Sequence, residues 1–410
     1  MPDKALSRIR ITDFSGVLAG AGASRILAAF GAQVIRVENP ANKGAWDPLR
    51  ASAPYIDERR GHNFGGGWQN HNVEKLGVTL NLATPKGREL FPRLVAISDI
   101  VAENFAAGVL ARLGFAYEQL QSIKPDIIYL SNCGFGHWGP YEQFKTWGPI
   151  VQAFSGLTYT SGLPDRAPAG WGYSYMDHGG AYFGAIAMLA ALHHRHKTGE
   201  GQHIDLATTE AASTLMGTHI LDYTVNGRRT RNEHGVDSNR GEALMAPHNI
   251  YAANGEDEWV AIACRDDAEW RALAGEIGKR AEDPRFTMLE GRLAHRDDLE
   301  ALVGIWTADQ NKFAVQRRLQ ALGIPAAAVQ RPEERVDKDP NTAAWGLWPQ
   351  VHHNEMGKVR VDGIPVHASA TDWEIKRGAP LLGQHNYEVY GGLLGMSDGE
   401  IAALTAEGVL

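Results

Sequence analysis

Residues 8–132 alternate two hydrophobic patterns: short runs rich in β-branched residues, and longer segments with helical periodicity. Arg8–Phe14 and Gln33–Glu38 read as strands on either side of a small-residue helix, Ala21–Phe30, with Gly31 as its C-cap. A second unit comes next: a strand over Gly77–Leu82, a helix over Pro85–Ile97 with proline near its first position, and a short strand over Ile100–Ala102. A helix over Tyr117–Ile123 leads into Asp126–Asn132, an apolar run that predicts a strand buried on both faces. Strands that alternate with helices predict an α/β fold with a parallel sheet.

The pattern then changes. Residues 134–171 are rich in glycine, proline and aromatics and read as an irregular approach to an active site. Gly179–Arg195 predicts a long helix with small residues on one face, then a strand over His203–Ala207. Arg228–Glu242 is polar and reads as a linker or mobile loop. Residues 245–330 predict a smaller mixed domain with two hairpin-like strands and several helices. Beyond Asp337 come strands and turns, until Ser397 offers an N-cap for a helix over Gly399–Ala406.

With 410 residues the chain has room for two cores, because a single core stops growing at roughly 250–300 residues. Hydrophobic residues at 44% and charged residues at 21% describe a globular protein rather than a disordered one. A net charge of −8 argues against a general nucleic-acid binder but leaves room for a local basic pocket around a phosphorylated ligand. The two cysteines, Cys133 and Cys264, form no CxxC pair and read as reduced thiols. The N-terminus carries no signal-peptide pattern, and no apolar run reaches the length of a membrane span. The expectation is a cytoplasmic protein that contacts neither membrane nor nucleic acid.

Four constellations could carry chemistry. Gly20-Ala21-Gly22 lies between a strand and a helix with Glu38 ending the next strand, but Arg25 stands where a dinucleotide fingerprint needs its third glycine. His193, His194 and His196 cluster at a helix end, as do His352 and His353 elsewhere, without the companion ligands of a metal site; basic residues at a helix C-terminus suit its dipole, and no metal is expected. Asn132–Pro140 places glycines directly after a buried strand, where open α/β sheets bind ligands. Tyr175-Met176-Asp177-His178-Gly179-Gly180 sets a carboxylate at the mouth of a helix between small neighbours. There it serves either as an N-terminal cap or as a covalent nucleophile.

Taken together, these segments resemble the class III CoA-transferase family, which includes formyl-CoA transferase and carnitine CoA-transferase. The resemblance runs through Ile11–Ser15 and Ala19-Gly20, Gly31–Glu38, Lys75 with Leu80–Leu82, Asp99–Val101 with Glu103–Phe105, and Arg112–Gly114. It continues through Gly134–Pro140, Asp177 with Thr198–Gln202, Asp283–Phe286, Gly323–Ala326, and Ala379-Pro380 with Gly383–His385. Ala21 and Ala107 replace usual prolines, and His137 stands where glutamine is frequent.

The resemblance implies a Rossmann-like large domain built from both termini and a small domain from the middle, in two chains threaded through each other. The corresponding boundaries are 1–225, 226–330 and 331–410. It implies Asp177 as nucleophile, with Val17, Arg36, Lys75, Asn104, Phe105 and Arg112 around coenzyme A. Arg36, Lys75 and Arg112 would pair with phosphates, and Phe105 would pack on adenine. Coenzyme A thioester is then a substrate, and no tightly bound cofactor is expected. Gly136, His137, His178, Gly179 and Gly180 fall in the substrate or oxyanion vicinity, with backbone N–H groups near Gly179–Gly180 or in the Gly134–Gly139 turn as candidate donors. A loop in 226–245, with Gly227, Gly235 and Gly241, would act as a lid. The overall likeness is to transferases of aromatic-acid breakdown, with succinyl-CoA as donor and a benzylsuccinate-type acceptor.

Two rivals remain at this point. An α-methylacyl-CoA racemase of the same fold would pair Asp177 with a histidine whose position falls at about Gly148; His137 or His178 would have to substitute. A non-catalytic subunit of a heteromer is the other, and both homodimer and heteromer stay open.

Overall fold

The computed structural model describes residues 4–162, 166–170, 172–228 and 245–410. The chain divides into two compact units, Met1–Glu233 with Asn341–Leu410, and His234–Pro340.

In the first unit six strands form one parallel sheet: β1 (Arg10–Asp13), β2 (Gln33–Glu38), β3 (Leu76–Thr79), β4 (Ile100–Glu103), β5 (Ile128–Cys133) and β6 (His203–Ala207). Their order is β3-β2-β1-β4-β5-β6 and every pairing is parallel. The direction of strand order reverses between β1 and β4, so the connections leave a crevice beyond their carboxyl ends. The helices are α1 (Ala19–Ala29), α2 (Gly66–His71), α3 (Pro85–Ala96), α4 (Val109–Arg112), α5 (Tyr117–Ile123), α6 (Gly148–Phe154), α7 (Tyr175–Thr198), α8 (Thr208–Thr214) and α9 (Gly217–Asn226).

Two apolar layers cover the sheet. On one face Phe14, Val37, Val78 and Val101 pack with Phe91 and Leu94 of α3, Leu120 of α5, and Tyr390 and Ile401 from the C-terminal stretch. On the other, Ile11, Val34, Ile100 and Leu130 pack with Leu27 of α1 and Met188 of α7. The helices α1 and α7 approach closely because both present small residues. A Cβ on Gly22 would stand 2.9 Å from Ala181 Cβ, and one on Gly184 would stand 3.2 Å from Ala23 Cβ. Gly22 therefore serves helix packing rather than a phosphate. The edge strand β3 is covered by the returning C-terminus, where His385 Nδ1 accepts from Gly77 N at 3.0 Å and Tyr390 donates to Thr79 O at 2.7 Å. Ser397 caps the last helix, Asp398–Ala406, in a reciprocal capping box with Glu400.

The second unit holds an antiparallel sheet of β7 (His248–Ala252), β8 (Trp259–Ala263) and β9 (Ala326–Ala328). Helices Asp267–Ile277, Arg296–Ala308 and Lys312–Ala321 bury Trp270, Leu273, Leu299, Val303, Val315 and Leu319 with it. Most of the lid and linker expected over 226–245, Gly235 and Gly241 included, lies outside the described residues.

Candidate active site

A cleft of 680 Å³ opens at the carboxyl ends of the parallel strands. That volume accommodates a ligand of cofactor size. Every strand of the sheet supplies lining residues at or beyond its end: Phe14, Val17 and Leu18 after β1, Glu38 and Trp46 around and after β2, Leu80, Leu82 and Ala83 after β3, Asn104 and Phe105 after β4, Asn132–Gly134 at the end of β5, and Thr208 after β6. Asp177 enters from the first turn of α7.

The turn between β1 and α1 is held in an unusual shape. Val17 has φ of +56°, a region that β-branched residues seldom occupy. Three hydrogen bonds keep it there: Gly16 N to Asn104 Oδ1 at 2.8 Å, Asn104 Nδ2 to Gly16 O at 2.9 Å, and Val17 N to Asp47 Oδ2 at 3.0 Å. Backbone strain of this kind survives only where its surroundings fix it, and it clusters at ligand sites. Phe105 is anchored by its amide, which donates to Glu103 Oε2 at 2.6 Å, and its ring meets the Trp46 ring edge-on at 5.2 Å. Burial pushes the Glu103 carboxyl up to about 7, although hydrogen bonds from Phe105, Tyr129 and Ser131 act in the opposite direction.

Asp177 is the third residue of α7. Burial pushes its carboxyl up to about 6, against a hydrogen bond from Ser174 that lowers it. Its neighbour across the cleft wall is Gly148, the first residue of α6, where an added Cβ would stand 2.9 Å from Asp177 Oδ2 and 2.6 Å from Ser174 Oγ. The carboxylate is therefore confined, partly desolvated and, among the described residues, without a cationic partner that would quench it. Those are the conditions for a carboxylate nucleophile.

Residues 6–386 match CoA-transferase family III. The chain belongs to that family. It is 32% identical to a succinyl-CoA–D-citramalate CoA-transferase of Chloroflexus aurantiacus, across 100% of this chain and 99% of the relative. It is 31% identical to a succinate–glutarate CoA-transferase of Agrobacterium fabrum, across 95% of this chain and 96% of the relative. Among solved structures, a CaiB/BaiF family protein of Brucella suis superposes with a TM-score of 0.84 at 29% identity, covering 96% of this chain and 99% of that one. The protein is thus a class III CoA-transferase with the expected parallel α/β sheet.

The transferase gathers only part of the expected site at the cleft. Val17, Asn104, Phe105 and Asp177 line it; Arg36, Lys75, Arg112, Gly136, His137, His178, Gly179 and Gly180 do not. Lys75 is a correction. It is fully buried, and its three protons go to Asp13 Oδ2 at 3.2 Å, Ala21 O at 2.8 Å and Asn72 Oδ1 at 3.1 Å. Asp13 is held below the usual carboxylate range: burial raises it, but Lys75, Arg36, Ser15 and Ser24 together outweigh that. Lys75 is thus a strut between β1, α1 and α2, with no proton left for a phosphate. Arg36 is also fully buried, 3.5 Å from Asp47 Oδ2 and with Trp46 and Trp68 beside it. Its Nε and Nη1 have no hydrogen-bond partner among the described residues, and the residue does not line the cleft. Arg112 is exposed beside the cleft, donating to Ala107 O at 3.3 Å.

The glycine amides expected as donors need revision as well. Gly179 and Gly180 are the fifth and sixth residues of α7, past the four N-terminal N–H groups that a helix leaves open. Of the Gly134–Gly139 turn, Gly134 alone among its glycines lines the cleft. His137 points away: its amide donates to Asp205, and its Nε2 is 3.6 Å from Glu103. His178 pairs with Tyr173 through Nε2 at 3.1 Å. Of the tryptophans in the first half of the chain, Trp46 and Trp147 line the cleft, Trp68 is buried against Arg50, Trp138 is exposed, and Trp171 lies outside the described residues.

Sequence reasoning missed Lys145, Thr208 and the role of Gly148. Lys145 sits in the stretch flagged as an active-site approach, and no spacing marks it as a ligand. Among the described residues no three His, Cys, Asp or Glu side chains are grouped to hold a metal, and no helix is long and apolar enough to cross a membrane.

Proposed function

We propose that this transferase moves CoA from succinyl-CoA or a similar acyl-CoA to a carboxylic acid with an apolar or aromatic body, such as a benzylsuccinate-type dicarboxylate. The observation that carries this reading is a confined Asp177, with no cation beside it among the described residues, at a cleft walled by Trp46, Phe105, Phe144 and Trp147. Aromatic walls favour an acceptor bulkier than formate or oxalate. The relatives named for succinyl-CoA and succinate support the donor.

Asp177 attacks the thioester carbonyl, giving a mixed anhydride and CoA thiolate. The thiolate then attacks the aspartyl carbonyl, which leaves an aspartyl-CoA thioester and the free donor acid. The acceptor carboxylate runs the same two steps in reverse. Val17, Asn104 and Phe105 hold coenzyme A, with Arg112 and Lys145 as the phosphate-facing cations, and the enzyme needs no bound cofactor. A racemase would need a base facing Asp177, and that wall is Gly148, while neither His137 nor His178 lines the cleft and His178 pairs with Tyr173. An inactive-subunit role fits poorly with a nucleophile so confined.

A second copy of the chain, or a related one, completes the assembly in the interlocked manner of the family. Helix α7 buries its small-residue face but exposes Tyr182, Ile186 and Leu189 at successive turns, and α9 exposes Leu221 and Val225. An apolar stripe of that extent marks a protein interface.

The test is product formation. The protein is incubated with succinyl-CoA and a panel of free acids, and new CoA esters are followed by mass. Donor-dependent esters of bulky acids support the reading. Their absence, together with solvent deuterium entering the α-carbon of a 2-methylacyl-CoA, contradicts it.

A further inference from the structure

Buried donors without acceptors are rare in folded proteins, because each costs about 1–3 kcal/mol. Among the described residues several side chains carry such an atom, but Asn132 is the one that also lines the cleft. It is 2% exposed, at the carboxyl end of β5. Its Oδ1 accepts from Thr208 Oγ1 at 2.9 Å, which turns the amide so that Nδ2 faces away from its one partner. Thr208 in turn packs on α7 one turn beyond the nucleophile: a Cβ on Gly180 would stand 3.3 Å from Thr208 Oγ1. Gly180 lies three residues beyond Asp177, so the two share a face of α7 about 5–6 Å apart. The free Nδ2–H and the Asp177 carboxylate thus belong to the same end of the cleft, while the amides of Gly179 and Gly180 are taken up within the helix.

We propose that Asn132 Nδ2–H is the donor that binds the carbonyl oxygen of the acyl group attacked by Asp177. The inference rests on the transferase reading above. In the step, an Asp177 carboxylate oxygen forms a bond to the thioester carbon and the carbonyl π pair moves onto oxygen. That oxyanion accepts from Asn132 Nδ2, which keeps its proton. Collapse restores the carbonyl and breaks the C–S bond, so CoA leaves as thiolate and the mixed anhydride remains. A preorganised amide aimed at developing charge is of the kind whose removal costs roughly 10²–10³ in rate. Thr208 is a positioning residue in this scheme.

The experiment is single-turnover release of CoA from succinyl-CoA, with binding of free CoA and thermal unfolding measured alongside. Asn132→Leu, close in shape and without a donor, is expected to slow release by roughly 10²-fold while CoA affinity stays within about threefold. Thr208→Val, which frees the amide to turn, is expected to slow the same step by about tenfold. If Asn132→Leu does not fold, Thr208→Val decides. Release within about threefold of the parent in the folded variants overturns the proposal and assigns the free N–H to an internal water. Loss of CoA affinity in parallel with the rate also overturns it, since that outcome describes a structural role. A parent protein that releases no CoA with any donor overturns the transferase reading itself, and this proposal with it.

Discussion

Gly148 lies so close to Asp177 that a single added carbon would stand 2.9 Å from its Oδ2. The glycine is therefore a condition of the nucleophile's position, and no side chain can share that wall without moving either the carboxylate or Ser174. We expect Gly148→Ala to lower transfer at least about 100-fold with little change in unfolding temperature, because a misplacement of about 1 Å at the reacting centre costs that much. Circular dichroism and steady-state kinetics on one preparation check it. Near-parent activity would show that the carboxylate has room to retreat.

The burial that confines Asp177 also sets its pH dependence. The group must be ionised to attack, and its folded value is raised to about 6 from 3.8. The rate of Asp177 acylation at limiting succinyl-CoA should therefore rise through pH 6 and level off by neutrality. Stability runs the other way. A raised carboxyl favours the protonated folded state, so the contribution of this group is fully present below 3.8 and is lost as pH rises through 6. Asp177→Asn should remove that part of the slope, as read from urea midpoints at several pH values.

Lys75 and Lys145 separate the structural cation from the ligand-facing one. Lys75→Met leaves Asp13 buried without its partner and should cost about 3–5 kcal/mol in stability, measured by chemical denaturation. Lys145→Ala, at an exposed position on the cleft, should leave stability unchanged and raise KM for the acyl-CoA roughly two- to fivefold, the worth of an exposed ion pair. The reverse pattern would return Lys75 to the phosphate site.

How much of this could be read from the chain depends on how local each cause is. Gln33–Glu38, Tyr117–Ile123 and His203–Ala207 match their elements residue for residue, because burial pattern and end signals sit within a few positions. The start of α7 did not. It begins at Tyr175 rather than Gly179, Ser174 makes no side-chain cap, and Gly180 is retained for close packing on Thr208 rather than as a break. The roles of Lys75 and Asn132 were illegible for a different reason. The acceptors of Lys75 include Asp13, 62 residues away, and the partner that orients Asn132 is Thr208, 76 residues away. The place of Asp177 at a helix mouth was legible because its glycine neighbours are contiguous, but its weakened acidity comes from burial by distant segments.

The exposed stripe on α7 predicts the assembly. Ile186→Glu places a charge in its middle and should shift the proposed dimer to smaller or aggregated species in light scattering, with transfer activity falling alongside. A variant that stays dimeric would move the interface elsewhere.

The central claim is covalent transfer through Asp177, and the mass of one peptide tests it most directly. The protein is mixed with succinyl-CoA, trapped with hydroxylamine or borohydride, digested, and the peptide containing Asp177 is weighed. The account predicts a donor-dependent mass change on Asp177 that is absent in Asp177→Asn. An unmodified Asp177 peptide during active transfer, or a trapped adduct on any other residue, would contradict it.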